Sequence, residues 1–297
     1  MAEKIEGISI SRESSVTVSN LAFRYLSRTE WALNGISTEI YKGEFLGITG
    51  PSGAGKTTFC LALDGLIPHV VEGTMRGHVK VHGLDTRTHH VSEMSIFVGM
   101  VFQDPRSQLT GSAMTAQEEV AFGLQNLGIP RETIKERVAD ALKVVGLSGL
   151  ESRSPLELSG GEQQRLSLAT VIATRPEIMV LDEPTEMLDP EGTISVMDAV
   201  HSIHQKDQKT TILVSNQPET LLRYAERIAV FSRGAIVSID SPEEFSRKAR
   251  FLEKLGVRPS QVSQVASLLD EAGLWTGSYP INEFQAAEII EKHILRN

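Results

Sequence analysis

The chain has 297 residues and only one cysteine, Cys60, which excludes an internal disulfide and suits a reducing compartment. Cys60 lies among Phe59, Leu61, Ala62 and Leu63 and reads as a small core hydrophobe. No apolar run approaches the ~18 residues that a membrane-crossing helix requires. The opening Met1-Ala2-Glu3-Lys4-Ile5-Glu6 lacks the basic and apolar regions of a secretory signal. Cytosolic placement is therefore expected, with any membrane role supplied through a partner. Positive charge is also scarce, with 29 Lys and Arg against 38 Asp and Glu, a net charge of −9. That balance argues against nucleic acid as a partner. Internal repeats and low-complexity tracts are missing too. What remains is 40% apolar and 23% charged, enough for one large or two modest soluble domains.

Leu46 to Thr58 carries the strongest signal. A short apolar strand runs into Gly50-Pro51-Ser52-Gly53-Ala54-Gly55-Lys56-Thr57-Thr58, which fits G-x-x-x-x-G-K-[ST]. Glycines let the backbone wrap with N–H groups pointing inward, and a helix starting near Gly55 adds its positive end. Lys56 can reach β- and γ-phosphate oxygens, and the Thr57 hydroxyl can join Mg²⁺. The segment predicts a nucleoside triphosphate site.

Residues 1–14 are polar and predict a loose N-terminal arm, followed by a domain over 15–240. Strands are expected at Ser15–Leu21, Gly35–Ile40 and Phe45–Thr49. The stretch from about 104 to 170 reads as mostly helical, with one helix starting behind Pro130. Ile178–Leu181 and Thr211–Val214 are apolar throughout, as parallel strands covered on both faces are. Together these segments predict a βαβ, hence α/β, fold, closed by a hairpin turning near Arg233-Gly234. A separate helical region is expected over 241–297. It opens on a capping box at Ser241-Pro242-Glu243-Glu244. Val262, Val265, Leu268, Leu269 and Ala272 line one helical face, and Phe284, Ala287 and Ile290 line a last helix capped by Asn282 and Gln285. These stripes are expected to dock the tail on itself or its neighbours, or to form a dimer contact.

Two further segments carry chemistry. Asp182 and Glu183 follow Ile178–Leu181, at the carboxyl end of a buried strand, where doubly wound sheets bind ligands. Asp182 suits Mg²⁺ and Glu183 suits polarising an attacking water. Leu158-Ser159-Gly160-Gly161-Glu162-Gln163-Gln164-Arg165 places a second glycine-rich anion nest at a helix start.

These three motifs, in this order, resemble the nucleotide-binding subunit of an ATP-binding cassette (ABC) transporter over about residues 15–235. The resemblance implies a P-loop NTPase fold with a helical subdomain, a small C-terminal helical region, and ATP with Mg²⁺ as ligands. It implies head-to-tail pairing with a second such subunit. Ser159, Gly160, Gly161 and Glu162 would then face nucleotide held by the partner. Gln103 matches the glutamine that senses Mg²⁺ and faces a membrane subunit, and Asp189 the aspartate linking the two sites. Tyr25 matches the aromatic stacked on adenine, although its position suits an ordinary core aromatic equally well.

Phe102-Gln103-Asp104-Pro105-Arg106-Ser107-Gln108-Leu109, Glu118–Gly123 and the C-terminal region resemble the ATPase of energy-coupling factor (ECF) importers. That resemblance implies a vitamin or transition-metal cargo, a membrane coupling subunit and a small substrate-binding membrane protein. Rival readings are the ATPase of another ABC importer, a non-transport ABC ATPase and a regulatory nucleotide-binding module. One position departs from the family pattern. Asn216 stands where the family places a histidine, and a neutral amide can donate a hydrogen bond but not carry a proton. Slow hydrolysis at this chain's own site is the expectation, with an amide that positions water adequately as the alternative. His78, His82, His89, His90 and the pair His201 and His204 lack ligand spacing and read as surface or loop residues.

Overall fold

A computed structural model describes residues 12–293 apart from residue 276. Of the arm expected at 1–14, all but its last residues lie outside the described ones. In chain order the strands are β1 (Ser14–Tyr25), β2 (Leu33–Tyr41), β3 (Phe45–Thr49), β4 (Gly73–Val81) and β5 (Leu84–Asp85), then β6 (Val98–Val101), β7 (Ile178–Asp182), β8 (Thr210–Val214), β9 (Arg227–Ser232) and β10 (Ala235–Asp240). The helices are α1 (Lys56–Leu63), α2 (Leu66–His69), α3 (Val91–Met94), α4 (Ala116–Asn126), α5 (Arg131–Val144) and α6 (Gly160–Thr174). They continue as α7 (Pro190–Asp207), α8 (Pro218–Tyr224), α9 (Pro242–Arg247), α10 (Ala249–Lys254), α11 (Gln261–Glu271) and α12 (Glu283–His293).

Two sheets organise these elements. The larger runs β10-β9-β3-β8-β7-β6, with β10 antiparallel at one edge and the other neighbours parallel. The smaller is antiparallel, β2-β1-β4-β5. Strand side chains alternate between faces, and the central strands divide accordingly. Leu46, Ile48, Ile178, Val180, Ile212 and Val214 enter a core shared with Phe59 and Leu63 of α1 and with Val18 and Phe23 of the smaller sheet. Phe45, Met179, Leu181, Leu213 and Val230 point the other way, into a core with α4 to α8. Both faces are buried, which is why these segments read as unbroken apolar runs. The turn at Arg233 and Gly234, both with positive φ, closes the β9–β10 hairpin.

The helical stretch over 104–170 is present as α4, α5 and most of α6. Thr115 caps α4 with Glu118, and Ser159 caps α6 with Glu162, each as a reciprocal capping box. In α9, Ser241 and Glu244 form the same pair.

One expectation fails here. His204 is not a surface residue. Its ring packs edge-on to Phe45 with centroids 5.1 Å apart, Nδ1 lies 3.2 Å from Thr211 Oγ1, and burial lowers its pKa. In the tail, the apolar stripes dock only in part, through Leu269 and Ile290, which pack on Ala266, Trp275 and Tyr279. In α11 the buried residues are Ser263, Ala266 and Ser267, while Val265 and Leu268 are exposed. The cause is polar. Ser263 Oγ lies 2.7 Å from Ser246 Oγ and 2.6 Å from Ser260 Oγ, and Ser246 donates to the Pro280 carbonyl at 2.7 Å. In α12, Phe284 is exposed, while Ile289 and Ile290 pack on Ala266, Trp275 and Tyr279.

The tail nevertheless joins the main core through Phe245, Leu252 and Val257, which share it with Leu221 and Leu222 of α8. Replacing Phe245 by Ala is expected to cost about 3–5 kcal/mol. Hydrogen exchange should then quicken across 241–290 while β3 and α1 stay protected; equal loosening everywhere would show that the tail is not a separable layer.

Candidate nucleotide-binding site

The carboxyl ends of β3, β6, β7 and β8 converge on one edge of the larger sheet, and a cleft of about 450 Å³ opens there. Lining it are Ser52, Gly53, Gly55, Lys56, Thr57 and Thr58 from the loop, Gln103 after β6, Asp182 and Glu183 at the end of β7, and Asn216 after β8. Gly50 has φ 153°, and a Cβ there would run into the Phe231 carbonyl oxygen. Gly55, with φ 102°, would bring a Cβ to 2.6 Å from the Ala32 carbonyl oxygen. Only glycine allows the loop to lie this close to β9 and β2.

The Lys56 ammonium donates to the Gly50 carbonyl at 2.6 Å and the Pro51 carbonyl at 3.3 Å. Burial lowers its pKa, while Glu183 and Asp182 act against that shift. The Asp182 carboxyl is raised by burial and eased by a hydrogen bond from Thr57. Glu183 is raised further, to about 7, again mainly by burial. Its backbone lies in the left-handed region at φ 51°, a conformation that persists only where surroundings enforce it. Here its N–H donates to the Val214 carbonyl at 3.1 Å, and its Oε2 accepts the Asn216 N–H at 3.2 Å. Asp182 Oδ2 and Glu183 Oε1 are buried without a hydrogen-bond partner. Two unsatisfied carboxylate oxygens beside a threonine hydroxyl and a lysine fit a hydrated cation and water under a phosphate chain.

Tyr25 also lines the cleft, but its hydroxyl is engaged by Thr58 Oγ1 at 2.8 Å. Its ring meets Phe23 edge-on, with Arg28 over it at 5.6 Å. Arg28, Glu30 and Trp31 share that wall; the residues carry no motif signal, and only the approach of the β1–β2 connection brings them in. Glu186 is a further residue without a sequence signal, and its Oε2 accepts from Gln103 Nε2 at 2.9 Å. Ser159, Gly160, Gly161, Glu162 and Asp189 do not line the cleft. Ser159 sits at the start of α6, where its backbone N–H holds the Glu162 carboxyl below its usual pKa. Asp189 caps α7, accepting the Gly192 N–H at 2.8 Å. Cys60 is fully buried beneath the loop. No helix among the described residues is long and apolar enough to cross a membrane.

A phosphate-binding loop between a central parallel strand and α1, with an acidic pair on a neighbouring strand end and a distant glycine-rich helix start, defines a P-loop ATPase of the cassette kind. A sequence model described as "ABC transporter" matches residues 33–186. An ABC transporter ATP-binding protein of Pyrococcus abyssi is 46% identical over 248 residues, 83% of this chain and 88% of the relative. The energy-coupling factor transporter ATP-binding protein EcfA2 of Caldanaerobacter subterraneus is 38% identical over 288 residues, 95% of this chain and 96% of that protein. Among solved structures, cbiO1 from Clostridium perfringens, described as part of the ABC transporter complex cbiONQ, superimposes with a TM-score of 0.69 at 26% identity. That match covers 86% of this chain and 99% of the other. The chain belongs to the ABC transporter ATP-binding family, is similar to an ECF-type ATPase over nearly its whole length, and is an ATPase.

The raised Glu183 pKa has a thermodynamic consequence. Between 4.5, the ordinary carboxyl value, and about 7, the folded state binds more protons than the unfolded one. Stability therefore falls as pH rises through that window. In the nucleotide-free protein, Glu183→Gln should raise Tm more at pH 8 than at pH 5. Equal shifts at both values would show that burial of the charge is not what strains this site.

Proposed function

We propose that this chain energises import of a micronutrient, a vitamin or a transition-metal ion, through an ECF-type ABC transporter. It works at the cytoplasmic face of the membrane, held there by its partners. Those partners are a second ATPase subunit, a membrane coupling subunit and a small substrate-binding membrane protein; nucleic acid is not among them. The observation that carries this reading is the cleft at the sheet edge, combined with likeness to EcfA2 along nearly the whole of both chains. The cbiO1 neighbour, described as part of the ABC transporter complex cbiONQ, supports the same reading.

In this reading Gly50, Ser52, Gly53, Gly55, Thr57 and Thr58 wrap the phosphates, and Lys56 leaves the loop carbonyls for their oxygens. Tyr25, with Trp31 beside it, flanks the base. Thr57, Asp182 and Gln103 would hold magnesium, which when bound offsets charge on the β- and γ-phosphates. Glu183 orients the attacking water, and its elevated pKa suits it to receive a proton near neutral pH. Ser159, Gly160, Gly161 and Glu162 complete the partner's site, and Asp189 links the two. A chain tagged in its native cell should co-purify with both membrane proteins; recovery with an extracytoplasmic binding protein instead would favour another importer class.

Asn216 shapes the rate. Its backbone N–H anchors Glu183 whatever the side chain, but the side chain facing the cleft is a neutral amide. Slow hydrolysis at this site follows, whereas a partner's site completed by Ser159 stays fast. In single-turnover assays, Asn216→His should speed cleavage roughly tenfold, with Lys56→Ala as the variant that fails to retain ATP. An unchanged rate would mean that the amide positions water as well as an imidazole does.

A further inference from the structure

We propose that Gln108 is a positioning residue that ties the loop carrying Gln103 to α6, the helix that opens on Ser159 and Gly160-Gly161, so that displacement of one is transmitted to the other. Its amide is used at both ends. Oε1 accepts the Phe102 N–H at 3.1 Å, immediately before Gln103. Nε2 donates to the Ser167 carbonyl and to Thr170 Oγ1, each at 2.9 Å. Ser167 and Thr170 lie on α6, the helix that Ser159 caps. Thr170 in turn donates to the Ser167 carbonyl at 2.7 Å, so the contact on α6 is itself braced.

Local geometry delivers the side chain to this place. Asp104 accepts the Arg106 N–H at 3.0 Å and caps a short 3-10 turn over Pro105–Ser107. That turn folds the chain back so that Gln108 reaches beneath Phe102. Arg106, Ser107 and Thr110 of the same loop are exposed, whereas the Gln108 bonds are partly sheltered from water and correspondingly stronger. The chemistry demands an amide of this length. A carboxylate accepts but does not donate, and asparagine is one methylene shorter. The strut joins two elements far apart in sequence that attend different nucleotides. Gln103 belongs to this chain's own cleft, and Ser159 to the cleft of the partner.

The inference rests on the nucleotide reading above, and hydrogen–deuterium exchange on the full chain separates the two. A non-hydrolysable ATP analogue with magnesium should slow exchange at 50–57 and alter it at both 102–108 and 160–170. Gln108→Glu keeps the acceptor for Phe102 and loses both bonds to α6. It should preserve the response at 50–57 and 102–108 while the response at 160–170 becomes about fivefold smaller. Thr170→Val removes one partner without charge and should give an intermediate loss. A full response at 160–170 in both variants would overturn the proposal. No slowing at 50–57 in the unaltered protein would overturn the nucleotide reading, and this proposal with it.

Discussion

Two carboxyl groups and one ammonium are held out of water at the edge of a parallel sheet, and the rest of the site is arranged around that burial. Desolvation pushes Asp182 and Glu183 up and Lys56 down, each toward its neutral form. Their mutual attraction returns only part of the lost hydration. The Lys56 ammonium turns to the Gly50 and Pro51 carbonyls, and one oxygen of each carboxyl has no partner. Such a cluster is poised to be completed by a ligand bringing negative charge for the lysine and a cation for the carboxylates. Such a ligand would supply the partners that folding left unmade.

The sheet makes this arrangement rigid. Val101 pairs with Leu181, Asp182 with Val214, and Ile48 with Val214, so the register of four strands sets where the loop, Gln103, the acidic pair and Asn216 emerge. Both faces of those strands are packed, and a slip of one residue would exchange the two cores. Glu183 is held in a left-handed backbone conformation by bonds to β8 and to the turn that follows it.

Much of this was legible in the residues. Gly50 to Thr58 is legible because a backbone cradle requires glycine at fixed places. Ile178–Leu181 and Thr211–Val214 are legible because burial on two faces removes alternation. The capping box at Ser241 is equally local. Contacts set by distant packing were not legible. Val265 and Leu268 form an apolar stripe by spacing, yet hydrogen bonds among Ser246, Ser260 and Ser263 bring the small-residue face inward instead. His204 carries no local signal for burial, and only the approach of β3 and β8 places it against Phe45 and Thr211.

The order and chemistry of the motifs alone determined that the chain cradles phosphates, belongs with the cassette ATPases and lacks a histidine after β8. Those properties depend on which atoms the residues carry and on spacing within a turn. Tertiary structure decided that Trp31 and Arg28 share the cleft, that Glu186 holds Gln103, and that Gln108 spans from the loop to α6. Those contacts join residues as many as 83 positions apart, and hydrogen bonds act over a few ångströms of space, whatever the distance along the chain.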